Sequence, residues 1–537
     1  MNTINIHEVS LSRAVEYFKQ GRLDEAQSLF LSILSNEPKN PDAIYFMGMI
    51  DHQCGRTEVA EHRANELIKL KPTDAKAINL IGTILLSQKK LPEAADYFRK
   101  GIKYNKDNPL LHVNAAICSI GEGNPDRGIE LCRIAIKIDA RYVNAYNILG
   151  TAYLGKSDFT HAAESFEKAL ELNPDLPDVR FNLGKAKLEM GDLETAMSCF
   201  DHIVDTSLHK AFPLTGKADI FSLQKNYSEA EIFYQQALAE NPNFGPAFSG
   251  LGKINYKSGK FNAALSYFKR AIELNPANLE ALIYTGDAFR QLGKNEAAEA
   301  AFSDALKVDP DNSQARFHLA AVQNTAPPAK PDNNYIRQLF DEFSDTFDKD
   351  IHNIEYDAPA QLAKLAKRHL KSSDTGALDT IDLGCGTGLC GVAFKDIASN
   401  LKGIDISPKM IDAARKRGLY SELEVNEILT ALVKHQNDTD LILSADVFPY
   451  IGDLESTFLA VHSALRKNGL FLFTVESHAG EDSYRLSAST RYSHTQDYLI
   501  NLAKRRDMEV LSCEESPYRK QAGEPIDSLI VALRKAS

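Results

Sequence analysis

Ile381-Asp382-Leu383-Gly384-Cys385-Gly386-Thr387-Gly388 runs from a short apolar stretch into a turn carrying three glycines in five residues. Residues 377–383 have the composition of a buried strand and 391–398 that of a helix, so the turn joins a strand to a helix. Glycine has no Cβ, accepts positive φ and lets a ligand come close to backbone amides. The stretch therefore points to a small molecule seated on this loop.

Outward from it, strand-like runs at 401–406, 440–445, 469–475, 508–513 and 528–533 alternate with helical stretches. Alternation of this kind predicts an α/β domain with a mostly parallel sheet and helices on both faces. Residues 323–334 are rich in Pro and small polar residues and lack a periodic apolar face, so they read as a semi-stiff linker, with the α/β domain at 335–537.

The preceding part keeps a strict beat. Prolines stand at 38, 72, 174, 242, 276 and 310, and every gap is a multiple of 34. Within 143–176 the marked columns are Leu149-Gly150, Tyr153, Ala162, Phe166, Ala169 and Pro174; a later copy reads Leu251-Gly252, Ala264, Phe268, Ala271 and Pro276. Small residues suit a close helix crossing, large ones fill the gap beside it, and proline ends the second helix. This pattern resembles the tetratricopeptide repeat. Nine repeats are expected from residues 7, 41, 75, 109, 143, 177, 211, 245 and 279, then a capping helix at 313–322, giving an all-α solenoid over 1–322. The resemblance implies a protein or peptide partner docked in the groove; a rigid spacer or self-association surface is the alternative.

Composition narrows the function further. The chain has 537 residues and a net charge of −12; residues 331–537 hold 24 Lys+Arg against 32 Asp+Glu, a net of −8. Phosphate neutralisation needs a basic surface, so a nucleic-acid substrate is disfavoured. Seven cysteines, at 54, 118, 132, 199, 385, 390 and 513, lack the paired spacing of a zinc site, and no metal is expected. Reduced thiols, no signal-like N-terminus and no apolar run of membrane-spanning length suggest a cytoplasmic protein without membrane insertion.

A dinucleotide fingerprint would space its glycines G-x-G-x-x-G, whereas here the third comes one residue early. Preceded by Asp382, the loop Gly384-Cys385-Gly386-Thr387-Gly388 resembles motif I of class I S-adenosylmethionine-dependent methyltransferases. Seventeen residues after Gly388, a second apolar strand ends in Asp405-Ile406-Ser407-Pro408. An acid at that strand end can accept both ribose hydroxyls, and Ser407-Pro408 is also a good helix cap, so both roles are compatible. By the resemblance, Asp405 is the ribose acid and Ile406 its neighbour in the site. Asp440 to Tyr450 resembles motif IV, which places Asp446 beside cofactor or acceptor; one residue more separates acid from tyrosine than in the amino-methyltransferase form. Asn426 and Glu427 are the candidates for the adenine side, against a plain surface role.

Phe340, Phe343 and Phe347 recur at helical spacing, so a helix packed on the domain is the simplest reading of 335–348. The stretch also resembles the N-terminal lid of a bacterial subfamily that joins tetratricopeptide repeats to a class I methyltransferase with a seven-stranded sheet. That likeness would have Tyr335, Phe347 and Tyr356 cover the cofactor. After Val475-Glu476 comes a long insertion, 477–494, expected over the acceptor. Within it Arg491, Tyr492 and His494 resemble a motif of the same subfamily. His494 is the first candidate for a base and Asp446 the second; Arg491 or Arg485 would clamp an anionic acceptor, while the alternative has Arg491 and Tyr492 bracing the loop. The reading implied is a methyltransferase using S-adenosylmethionine, with a small-molecule or protein acceptor; the alternative is a scaffold whose cofactor-binding domain is catalytically idle.

Overall fold

A computed structural model describes residues 6–206, 210–323, 327–344, 347–370, 378–521 and 523–536. The chain forms two compact units, 1–250 and 251–537.

The first unit is a run of helical hairpins in strict register. Successive pairs begin at Pro41, Ala75, Pro109, Val143, Pro177 and Ala211, each a 13-residue helix followed by one of 14 residues. The turn inside each hairpin carries one left-handed residue, at positions 21, 55, 89, 123, 157, 191 and 225. Glycine fills four of these, and Lys89, Ser157 and Lys225 adopt the same positive φ. Asp158 shows how a second helix starts, its side chain accepting a hydrogen bond from the His161 N–H. Phe166, fully buried, lies against Gly150, where any Cβ would stand 2.6 Å from the ring. The glycine column is thus a packing requirement, with the phenylalanine of the second helix occupying the space a side chain would take.

The second unit opens with the end of the helix Gly245–Lys257 and the helices Phe261–Leu274, Leu279–Gln291 and Asn295–Val308, then the helix Ser313–Gln323. Helices Asn333–Phe343, Phe347–Asn353 and Ala358–His369 lead to the sheet. Its strands are β1 (Leu378–Leu383), β2 (Ala398–Asp405), β3 (Glu422–Val425), β4 (Thr439–Ser444), β5 (Leu465–Ser477), β6 (Tyr484–Leu486), β7 (Tyr492–His494), β8 (Met508–Glu515) and β11 (Ser528–Lys535), while β9 (Lys520–Gln521) and β10 (Glu524–Pro525) pair as a separate two-stranded sheet. The main order is β3-β2-β1-β4-β5-β11-β8; the first five of these are parallel and β11 runs antiparallel to both neighbours. This is the solenoid followed by a Rossmann-like, mostly parallel seven-stranded α/β sheet. The centre of β4 is a continuous apolar run because Leu441 and Leu443 face one core and Ile442 the other. Strand order reverses between β1 and β4, the place where open α/β sheets leave a crevice at their carboxyl ends.

Within this unit the last repeat helices pack on the sheet domain. Phe317 lies 6.2 Å from Tyr492, ring to ring, and Arg290 Nη1 donates to the Ala488 carbonyl at 2.9 Å. Around the proline-rich joint, the Pro328 carbonyl accepts from the Tyr492 hydroxyl at 2.6 Å and the Ala329 carbonyl from the Gly452 N–H at 2.8 Å.

Candidate active site

The crevice predicted by topology is present. It is a cleft of about 930 Å³, continuous with solvent, floored by the glycine loop and the ends of β2 and β4. Gly384, Gly386, Asp405, Ile406, Glu427 and Asp446 all line it. Gly384 has φ +67, and a Cβ there would stand 2.4 Å from Val447, so close packing and conformation both demand glycine. Gly386, at φ +53, faces open space: a Cβ would meet nothing within 4 Å and would occupy the room where a ligand approaches.

Asp405 organises this floor. One carboxylate oxygen accepts from the Gly386 N–H at 2.9 Å and the other from the Ser407 N–H at 2.9 Å. Burial pushes the carboxyl up to about 6, and the two backbone donors oppose that rise. Each oxygen keeps a lone-pair direction for a ligand hydroxyl, so the residues present fit a nucleoside held by its ribose. Ser407 caps the following helix, its hydroxyl accepting from the Met410 N–H, which is the cap expected from the sequence. Glu427 caps the short helix Ile428–Leu432 and pairs with Lys330 at 3.1 Å.

Three other loop residues act behind the cleft. Asp382 is 1% exposed and accepts from the Tyr420 hydroxyl at 2.7 Å; burial pushes its carboxyl up to about 7. Cys385 is buried beside Ile411 and Ala414, and Gly388 begins the next helix in the left-handed conformation. They shape the loop without lining the cleft.

The lid region splits between two sides of one helix. Along Asn333–Phe343, Ile336 and Phe340 line the cleft, together with Phe347 and Tyr356 from beyond it. Tyr335 does not join them: its hydroxyl meets His318 Nε2 at 3.0 Å and its ring packs on Phe317. Positions 336 and 340 share a helix face that 335 does not, so no rotation of this helix brings all three to one ligand.

The wall beyond Asp446 is an ion-pair cluster. Asp446 has φ +57, unusual for a residue with a side chain and typical of strained positions at functional sites. Its carboxylate takes Arg491 Nη2 at 2.5 Å and the Tyr518 hydroxyl at 2.8 Å, with Arg519 at 3.7 Å. Arg491 and Arg519 both also bind Glu476. Arg491 Nη1 donates to the Tyr450 hydroxyl at 2.6 Å, and its guanidinium lies 4.8 Å from the Tyr450 ring centre. Two carboxylates and two guanidiniums thus neutralise one another, and Arg491 braces the wall instead of offering its charge to the cleft.

His494 is placed elsewhere. It is fully buried, its Nε2 against the Gly452 carbonyl at 2.9 Å, and burial pushes its pKa down to about 4. Tyr492 and His494 alternate inward on β7 while Ser493 faces the other way, toward His478. The structure brings His494 to the core and not to the cleft, so it is not positioned as the base the sequence suggested.

Residues 374–514 match a methyltransferase domain model. Tetratricopeptide repeat models match 55–109, 152–191, 177–207, 214–244, 250–313 and 285–326. The chain joins tetratricopeptide repeats to a methyltransferase domain. Curated relatives include a DnaJ homolog subfamily C member 3 homolog of Dictyostelium discoideum, 23% identical over 199 residues covering 34% of this chain and 40% of that protein. Another, the TPR repeat-containing protein MJ1428 of Methanocaldococcus jannaschii, is 24% identical over 278 residues, 47% of this chain and 49% of that one. The chain thus spans under half the length of these relatives. Among solved structures, a tetratricopeptide repeat protein from Parabacteroides merdae matches at 16% identity and TM-score 0.37, over 53% of this chain and 98% of the other.

Several contributors to the methyltransferase domain's cleft carry no local sequence signal. Asp341 accepts from the Ser407 hydroxyl at 2.5 Å, and Asp348 accepts from the Thr387 hydroxyl at 2.6 Å while pairing with Arg417, so two helices before the sheet are clipped to the loops after β1 and β2. Tyr518 and Arg519 reach Asp446 from more than 70 residues away. Among the described residues no group of His, Cys, Asp and Glu could hold a metal, and no helix is long and apolar enough to cross a membrane.

Proposed function

We propose that this chain is an S-adenosylmethionine-dependent methyltransferase whose repeats dock a protein partner. The observation that carries the reading is Asp405: a buried carboxylate at the end of β2, held by the glycine-loop amide it faces and open to the same cleft. Asp405 would hold the ribose, Gly384 and Gly386 would admit the ligand to the loop backbone, and Asn426, Glu427 and Ile428 would flank the base. Phe340, Phe347 and Tyr356 would exclude water over it. Bound S-adenosylmethionine supplies an electrophilic methyl group, leaving S-adenosylhomocysteine and one released proton when the acceptor is a neutral O–H or N–H.

The chain's contribution is alignment more than proton transfer. His494 lies in the core and Asp446 is held by Arg491 and Tyr518, so the wall favours an acceptor that is already nucleophilic or whose proton leaves to water. The same engagement of Asp446 supports a second reading, a scaffold whose domain binds cofactor and transfers nothing. Calorimetric titration with S-adenosylmethionine tests the first requirement, and formation of S-adenosylhomocysteine with cell extract separates the two readings. No binding at micromolar protein defeats both; binding without turnover in any extract favours the scaffold.

A further inference from the structure

A second cavity of the same unit shares Tyr450 with the cofactor cleft. It has a volume of about 570 Å³ and is open to solvent. One side is built by first helices of the closing repeats, through Tyr256, Tyr284 and Gln314; the other by Gln338 and Phe343 of helix Asn333–Phe343 and by Thr490 of the insertion. Thr490 holds positive φ, and Arg290 anchors the adjacent Ala488 carbonyl, so the insertion forms a fixed wall against the repeats. Arg491 lines this cavity and Asp446 lines the cleft, so Tyr450 and a single ion pair separate the two.

The lining identifies what fits. Every charged side chain in it has an opposite partner: Lys257 with Glu342 at 3.7 Å, Glu280 with Lys253 at 3.1 Å, Asp287 with Arg290 and His318 at 3.0 Å each, and Arg491 with Asp446 and Glu476. No charge is left to select a phosphate or carboxylate. What remains is aromatic surface, including Phe343 at 46% exposure, and the amides of Gln314 and Gln338, which both donate and accept. Amide groups beside aromatic faces suit an uncharged polyamide, whose backbone N–H and C=O groups can pair with Gln314 and Gln338 while its side chains pack on the rings.

We propose that this cavity receives the methyl acceptor as a side chain on an uncharged polypeptide segment, laid across the first helices of the closing repeats and reaching the cofactor past Tyr450. The proposal rests on the cofactor assignment of the neighbouring cleft. The repeats then form part of the acceptor site itself, in addition to any docking along the rest of the array.

The test uses the full chain. A phage-displayed library of random peptides about 12 residues long is selected on it, and enriched peptides are titrated calorimetrically against wild type, Tyr284→Ala and the double variant Gln314→Ala/Gln338→Ala. The double variant alters half-exposed or exposed side chains, so it keeps the test valid if Tyr284→Ala unfolds. Peptide affinity is expected to fall at least about tenfold in the variants, while S-adenosylmethionine affinity stays within about twofold, since none of the three residues lines the cleft. No enrichment, or peptides that bind the variants as tightly as wild type, overturns the cavity as a peptide site. Tritium passing from labelled cofactor into the low-mass fraction of an extract, unchanged by the variants, overturns it in favour of a small acceptor. Variant-sensitive peptides on a protein that binds no S-adenosylmethionine would leave a peptide site but overturn the acceptor role, a failure traceable to the cofactor reading.

Discussion

Replacing Asp405 with alanine removes two duties at once, and the structure allows each to be weighed. Hydrogen bonds to a charged group contribute about 1.5–3 kcal/mol, so losing the ribose acceptor predicts affinity for S-adenosylmethionine weaker by about 10- to 100-fold. The effect on folding is smaller because its parts oppose. The Gly386 and Ser407 N–H groups lose their acceptor, at about 1–3 kcal/mol each if no water replaces it. Against this, holding a carboxyl near 6 instead of about 3.9 costs about 3 kcal/mol at neutral pH, a cost the alanine relieves. Calorimetric titration at pH 8 beside a thermal melt reads both. Affinity within about threefold of wild type, with an unchanged melt, refutes the ribose role; loss of affinity together with collapse of the melt moves the question to Asp405→Asn, which keeps one acceptor oxygen. The pH dependence adds a sign that is hard to imitate. Ligand hydroxyls favour the carboxylate, so affinity should hold above pH 6 and fall by about tenfold per unit below it. A carboxyl whose pKa is raised on folding binds its proton more tightly in the folded state, so its own contribution to stability rises as pH falls from above 6 toward about 4. Affinity and this part of the stability should therefore move in opposite directions, and Asp405→Asn should flatten both.

Gly384→Ala forces a Cβ to 2.4 Å from Val447 at φ +67; the left-handed conformation alone costs about 1–2 kcal/mol, so a lower melting midpoint and loss of cofactor binding are expected, with an unchanged melt counting against the loop geometry. Arg491→Ala leaves Asp446 and Glu476 facing each other beside Arg519 alone, and breaking a buried pair in this way costs about 3–5 kcal/mol by denaturant titration. A loss under about 1 kcal/mol would show instead that Arg519 suffices to hold the wall.

The parts of the fold legible in the sequence are those set by local rules. The repeat register follows from one column of small residues facing one column of large ones, as at Gly150 and Phe166, and no distant contact is needed to see it. The position of Asp405 was legible because an acid at the end of the second strand, just after a glycine turn, falls at the carboxyl edge of the sheet where the crevice opens. His494 was misplaced because 477–494 read as a loop, where a polar side chain is free to face solvent; β7 gives it the alternation of a strand, which turns Tyr492 and His494 inward together. Tyr335 was set beside Phe347 by resemblance, although a helix separates it from Ile336 and Phe340 by its own periodicity. The cluster around Asp446 was invisible for another reason. Tyr518 and Arg519 arrive just after β8, at a distance in sequence that only sheet order resolves.

The packing of Phe317 on Tyr492 and of Arg290 on Ala488 bears on how such a protein can be inherited. Recombination at the proline-rich joint would separate side chains that complete one another, leaving Tyr492 and the insertion uncovered. Exchange of repeat arrays between lineages should therefore break upstream, with the closing hairpins travelling in the same gene segment as the sheet. Substitutions along the remaining array would then leave the packing around Tyr492 undisturbed.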